Sequence, residues 1–127
     1  MADWNDVRNF INNQEPIPLI PEGAELYPVV GLSFMPGYPQ TILCLLDIEK
    51  GAPIQLVRNP DNVYDSNAIE VRLGGTMLGH LAKEVAARLA PEMDNGAEWW
   101  ATLYQVRVSP ENPNNPGLDI LVDGFNA

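Results

Sequence analysis

The stretch LVRNPDNVYDSNAIEVRLGGTMLGHLAKEVAARLAPEMDNG, residues Leu56–Gly96, sets the architecture. It opens inside a short apolar run, Ile54–Arg58, that reads as a strand. A Pro/Asp/Asn loop, Asn59–Asn67, follows and carries one aromatic and one acid side by side, Tyr64 and Asp65. Ala68–Leu73 reads as a second strand. Gly74-Gly75 is a two-residue hairpin turn leading into Thr76–Gly79. Gly79-His80-Leu81 then opens an amphipathic helix, Ala82–Met93, with Val85, Leu89 and Met93 on its buried face. Glu84 and Arg88 stand at i,i+4 as an exposed pair. Pro91 should end or kink this helix after Leu89 or Ala90. Tyr64, Asp65, His80 and Lys83 therefore fall at the ends of elements rather than inside them.

Upstream, Val29–Phe34 reads as a first strand, and Pro36–Pro39 as a turn. Thr41–Ile48 is ambiguous: Ile42, Leu45 and Leu46 suit helical spacing, yet the residues also suit a strand. Downstream, Glu98–Val108 and Leu118–Val122 read as the last strands, joined by a loop, Pro110–Gly117. Trp99 and Trp100 must point to opposite faces of their strand. Residues 1–27 form an arm. In it Asp3 can cap a short helix carrying Trp4, Val7, Phe10 and Ile11, followed by an extended, proline-containing segment, Glu15–Gly23. The arm can pack on its own domain or bind a partner. Residues 28–127 form the domain. Short strands with a single late helix imply a mainly β fold with one or two helices, a small OB-like Greek-key barrel. The barrel class alone leaves function open.

The chain has 127 residues, 46% of them apolar, which suits one folded domain with a single core. No apolar run is long enough to span a membrane, and the acidic N-terminus is unlike a secretory signal. The single cysteine, Cys44, excludes an intramolecular disulfide and is expected to be a buried apolar residue. A cytoplasmic location is the default expectation. The net charge of −10 argues against indiscriminate nucleic-acid binding. Leu56–Val108, however, holds five basic and seven acidic residues, a net −2, so most of the excess lies elsewhere.

Two groups of residues can carry chemistry. In the 59–67 loop, Pro60, Asp61 and Asn62 favour turns, and a structural loop with Tyr64 packed over the barrel mouth is one reading. In the other, Tyr64 stacks on a nucleic-acid base. The Asp65 carboxylate then accepts a hydrogen bond from a sugar hydroxyl and repels a phosphate at the same point. A calcium loop built from Asp61, Asn62, Asp65 and Asn67 fits poorly: Ser66 replaces the turn glycine and Arg72 the bidentate acid. The second group is Gly79-His80-Leu81-Ala82-Lys83. A lone histidine is ordinarily a hydrogen-bonded structural residue. Lys83 sits in the first helical turn, where the helix dipole disfavours a cation unless an anion binds there. Gly79 would allow that anion close approach. No nucleophile motif, phosphate loop, metal-ligand spacing or dinucleotide fingerprint is present, so no catalytic residue, metal ligand or cofactor is assigned. A metal-dependent hydrolase acting on nucleic acid remains as an alternative built on scattered carboxylates.

The order Val30-Gly31, then Arg58 to Val71, then Gly79 to Ala86 resembles the HIRAN domain. That family occurs at the N-terminus of some fork-remodelling, helicase-like ATPases and as small stand-alone proteins. The resemblance covers about Pro28 to Val122 and implies a modified OB barrel. It implies binding of the 3′-hydroxyl end of single-stranded DNA. Tyr64 would stack on the terminal base, Asp65 and nearby Asn62 would read the hydroxyl, and His80 and Lys83 would hold the backbone. The family's best-known members carry an Arg and aromatics after V-G-L. Here the segment is Ser33-Phe34-Met35, which keeps a stacking candidate in Phe34 and lacks the charge. The implied partners are a single-stranded 3′ end and a DNA-processing ATPase or repair protein. The alternative is a protein-interaction adaptor that keeps the barrel without DNA binding.

Overall fold

The Gly74-Gly75 turn is formed as its glycines allow. In the computed structural model, which describes residues 23–48 and 50–125, both take positive φ, 57° and 93°. Leu73, the last residue of β3 (Ile69–Leu73), pairs directly with Thr76, the first of β4 (Thr76–Leu81). β2 (Pro53–Arg58) flanks β3 on its other side. β1 (Ala24–Val30) returns beside β4, giving the Greek-key order β1-β4-β3-β2. β5 (Glu98–Ser109) and β6 (Asn112–Phe125) form a long hairpin between β2 and β1. All pairings are antiparallel and the six strands close into a barrel, with β1–β4 and β2–β5 as its short seams. The mainly β barrel expected from the sequence is thus the observed one, with six strands rather than the five of an OB-fold.

Alternation fills the barrel. Ile69 and Val71 of β3, Leu78 of β4, and Leu118, Ile120 and Val122 of β6 are almost fully buried. Helix α1 (Gln40–Leu43) and the 3₁₀ turn Cys44–Asp47 add Ile42 and Leu45 to this core. The ambiguous segment is therefore helical. That period turns Ile42 and Leu45 inward and leaves Cys44 exposed, contrary to its expected burial.

Other elements shift for identifiable reasons. The first strand runs over Ala24–Val30 rather than Val29–Phe34. Gly31 takes φ 75°, which stops the strand and starts a 3₁₀ turn, Leu32–Phe34. Ala24 to Tyr27, expected in the arm, pair with β6. The rest of the expected arm, with its helix around Trp4, Val7, Phe10 and Ile11, lies outside the described residues. β4 continues through His80 to Leu81, so His80 is a strand residue paired with Glu70 and Val30. Gly79 is required by this pairing: a Cβ there would lie 2.5 Å from the Val30 carbonyl oxygen. The expected approach of a ligand to Gly79 is replaced by the approach of β1.

Helix α2 (Lys83–Asp94) runs past Pro91 by three residues. Pro91 and Ala87 are both exposed, so the carbonyl that proline leaves without a donor faces water. Leu89 and Ala90 are buried and Met93 packs on the core, which holds the last turn in place. Ala86 joins them, while Val85 is only half-buried. Arg88 does not turn along the helix to Glu84. It reaches β1, where Nη2 lies 2.9 Å from Glu25 Oε2 and the guanidinium stands over the Tyr27 ring. β6 begins at Asn112, inside the expected 110–117 loop. Pro113 and Pro116 fall in the gap between the pairs Ser109↔Asn112 and Arg107↔Gly117, where the ladder asks for no N–H. Trp99 lies against Gly124 and the core, and Trp100 is exposed, on opposite faces as expected.

Candidate nucleic-acid interface

The 59–67 loop is held by its own polar side chains. Asn62 Oδ1 accepts from the Tyr64 N–H at 2.9 Å and the Asp65 N–H at 3.1 Å. Asp65 Oδ1 accepts from the Asn67 N–H at 2.9 Å. These are the side-chain turns that Asn and Asp favour. Their consequence is that Tyr64 is 91% exposed, so it does not pack over the barrel mouth. Val63 beside it is 88% exposed. The Asn62 carbonyl and one Asp65 oxygen are spent on the loop. Among the described residues no hydrogen bond reaches the second Asp65 oxygen. The same set of oxygens was the calcium candidate; among the described residues no three His, Cys, Asp or Glu side chains group as a metal site.

Arg58 anchors the loop from beneath. Its side chain is 15% exposed and donates to four oxygens. Nε and Nη2 take Asp94 Oδ1 and Oδ2 at 2.9 and 3.1 Å, a bidentate fork. Nη1 takes the Ala68 carbonyl at 2.8 Å and Nη2 the Ser66 carbonyl at 3.0 Å. The hydrogen bond with Arg58 holds the Asp94 carboxyl below its ordinary range, and the same bond raises the arginine, against its partial burial. In the sequence the arginine stood as one of five basic residues and as the first residue of the motif Arg58 to Val71, with no role assigned. Its role needed the fold, because its partner is 36 residues away.

Opposite the loop, helix α2 starts without a side-chain cap at Ala82, so its first N–H groups are not taken up by one. Lys83 is its first residue and is exposed. Between loop and helix lies an open groove of about 430 Å³. Asn62, Tyr64, Asp65, His80 and Lys83 all line it. Val30, Ala68 and Leu81 form its apolar part. Three separate elements thus bring five of the six sequence candidates into one concavity. Phe34 is not among the lining residues: it ends the 3₁₀ turn beyond Gly31 and is 85% exposed. Val30, 40% exposed, was read as a strand residue and as part of the Val30-Gly31 motif, not as a site residue; it reaches the groove because Gly31 ends β1 there.

The electrostatics around the groove are selective. Of the five basic side chains between Leu56 and Val108, four are in ion pairs: Arg58–Asp94, Arg72–Glu70, Arg88–Glu25 and Arg107–Asp119. Among the described residues no carboxylate pairs with Lys83. An exposed acid, Glu84, shares its turn. The groove therefore offers one unpaired cation, one imidazole, uncapped helix N–H groups, an exposed ring and a carboxylate, which can hold one anion and one planar group.

A closed β-barrel with an aromatic-and-acid loop facing a helix start defines a small binding domain. The HIRAN domain family model matches residues 23–118, and the chain belongs to that family, whose domains are DNA-binding modules. Human helicase-like transcription factor is 34% identical over 88 residues, 68% of this chain and 8% of that protein. A Fanconi-associated nuclease 1 homolog of Arabidopsis thaliana is 46% identical over 50 residues, 39% of this chain and 6% of that protein. The matched segments are thus small parts of those relatives. The crystal structure of the HIRAN domain of human HLTF superposes with a TM-score of 0.60 at 29% identity, covering 80% of this chain and 74% of that one. A protein from Lactobacillus plantarum shares the fold, with a TM-score of 0.59 at 23% identity over 78% of this chain and 92% of that one.

Proposed function

We propose that this chain is a non-catalytic module that recognises the 3′-hydroxyl end of single-stranded DNA, in repair or replication-fork processing. The observation that supports it is the convergence of Asn62, Tyr64, Asp65, His80 and Lys83 on one groove. Tyr64 stacks on the terminal base. Asp65 accepts from the terminal hydroxyl through the oxygen not used by Asn67, and Asn62 contributes by fixing the turn that aims both residues. Lys83, His80 and the helix N–H groups hold the adjoining phosphate. Phe34, outside the groove, stacks only on a strand that continues past Gly31.

The domain needs no cofactor for this work. A bound end is useful to a DNA-processing ATPase or repair enzyme, and the relatives include a protein named a helicase-like factor and one named a nuclease. Among the described residues no helix is long and apolar enough to cross a membrane. A cytoplasmic place of action rests on the sequence alone. The adaptor reading draws on the net charge of −10 and on the neutralised arginines.

Titrating isotopically labelled protein with a short single strand bearing a free 3′ end separates the two. Amide shifts concentrated at residues 62–65 and 80–83 are expected. No shifts at low salt would favour the adaptor, and shifts centred elsewhere would move the site.

A further inference from the structure

Neither Arg58 nor Asp94 lines the groove, yet Arg58 bonds the carbonyl of the lining residue Ala68 and the pair joins the groove's two walls. The loop leaves the barrel immediately after Arg58 and returns at Ala68, whose carbonyl accepts from both the Asn59 N–H and Arg58 Nη1. The guanidinium also takes the Ser66 carbonyl, so it grips the returning strand where the loop ends. Nε and the second Nη2 hydrogen take the two oxygens of Asp94. Asp94 is the last residue of α2, the helix whose first residue is Lys83. A 12-residue helix is stiff, so one planar fork fixes the loop against the same rod that carries the phosphate-side wall. Beyond its base, the loop hangs on the two side-chain turns of Asn62 and Asp65, with Val63 and Tyr64 exposed. Two backbone bonds add to these turns, from the Asn62 N–H to the Asn59 carbonyl at 3.2 Å and from the Ala68 N–H to the Asp65 carbonyl at 3.0 Å, and both stay within the loop and its return, so neither ties it to α2. Asp94 is 56% exposed, and exposed ion pairs contribute little to stability, so the pair matters for geometry more than for the strength of the fold.

We infer that Arg58 and Asp94 are positioning residues for end recognition: their bidentate pair locks the 59–67 loop to helix α2 and so sets the preference for a 3′-hydroxyl over a 3′-phosphate. This rests on the end-reading function proposed above. Neither residue touches the DNA. The pair holds the Asp65 carboxylate at a fixed distance from the Lys83 end of the groove. A loop released from Arg58 lets the carboxylate retreat from a phosphate, and the penalty against the blocked end falls.

Two variants and two readouts test this. Asp94→Asn removes the charge and keeps the size; Arg58→Lys keeps the charge and loses the fork. Hydrogen exchange is followed at the Tyr64, Asp65 and Asn67 amides, with β3 and β6 amides as the fold control. In Asp94→Asn the loop amides should exchange roughly two- to fivefold faster while the barrel amides hold, the loss expected for one exposed ion pair. The ratio of affinities for a short single strand with a 3′-hydroxyl and with a 3′-phosphate, per folded molecule, should fall in both variants. A purely stabilising pair would lower the melting temperature and leave that ratio alone. Wild-type loop exchange and a wild-type ratio in Asp94→Asn would overturn the inference, even if Arg58→Lys fails to fold. Should the unaltered protein show no preference between the strands, the end-reading function falls, and the loop exchange still decides whether the pair is a lock.

Discussion

In the proposed function, Tyr64 and Lys83 divide the work of binding between a face and a charge. Tyr64 is held out by hydrogen bonds to its own backbone neighbourhood, not by packing. Tyr64→Ala should therefore weaken single-strand binding by roughly 1–3 kcal/mol, the cost of one lost base stack, while the melting temperature stays unchanged. A lower melting temperature with unaltered affinity would return Tyr64 to a structural role. Lys83 is the basic side chain at the groove that no described carboxylate neutralises. The slope of log affinity against log salt should be shallow and flatten by about 0.7 in Lys83→Ala, the contribution of one single-strand phosphate contact. Arg88→Ala, which breaks the pair with Glu25 on another face, should leave the slope as it was. A slope insensitive to Lys83 would move the phosphate site. Both residues were legible in the sequence, because an aromatic-acid pair in a polar loop and a lysine at a helix start are each locally out of place. The exposure of Tyr64 was not, since it depends on which backbone groups Asn62 captures.

At the level of elements, local signals decided where the chain turns and tertiary contacts decided where elements stop. Gly74-Gly75 was readable because two positive φ angles need two glycines. Pro91 does not end the helix, because its cost depends on whether the abandoned carbonyl meets water, which is a matter of helix orientation. The prolines of the 110–117 segment likewise do not exclude a strand, as a long hairpin can place them between ladder bonds. Gly79 looked like room for a ligand and is room for Val30. The link between loop and helix was illegible for the same reason: Arg58 and Asp94 meet only once the barrel closes. That link titrates. Arg58 holds the Asp94 carboxyl lowered in the folded protein, so its contribution is complete above about pH 4, near the ordinary carboxyl value, and is lost as pH falls through the lowered folded value. The difference in melting temperature between the unaltered chain and Asp94→Asn should accordingly hold from pH 7 down to about pH 4 and shrink below it. A difference that stays constant to lower pH would show that the carboxylate's charge contributes nothing to the pair.

For the whole molecule, the decisive quantity is the contrast between a net charge of −10 and a groove with one unpaired lysine. A protein of this charge repels the long phosphate chain and gains little from non-specific contact. What it can gain comes from a stack, a hydrogen bond to a hydroxyl and one phosphate, which together describe an end and not a length of DNA. In the proposed function the barrel is the rigid frame that would keep these three contacts at fixed separations, and the family to which the chain belongs is one of DNA-binding domains. The most direct test is a competition between two otherwise identical short single strands, one ending in a 3′-hydroxyl and one in a 3′-phosphate, at low salt. The hydroxyl strand should displace the phosphate strand, because Asp65 meets a donor in the first and a like charge in the second. Equal competition by the two strands would contradict end recognition by this groove.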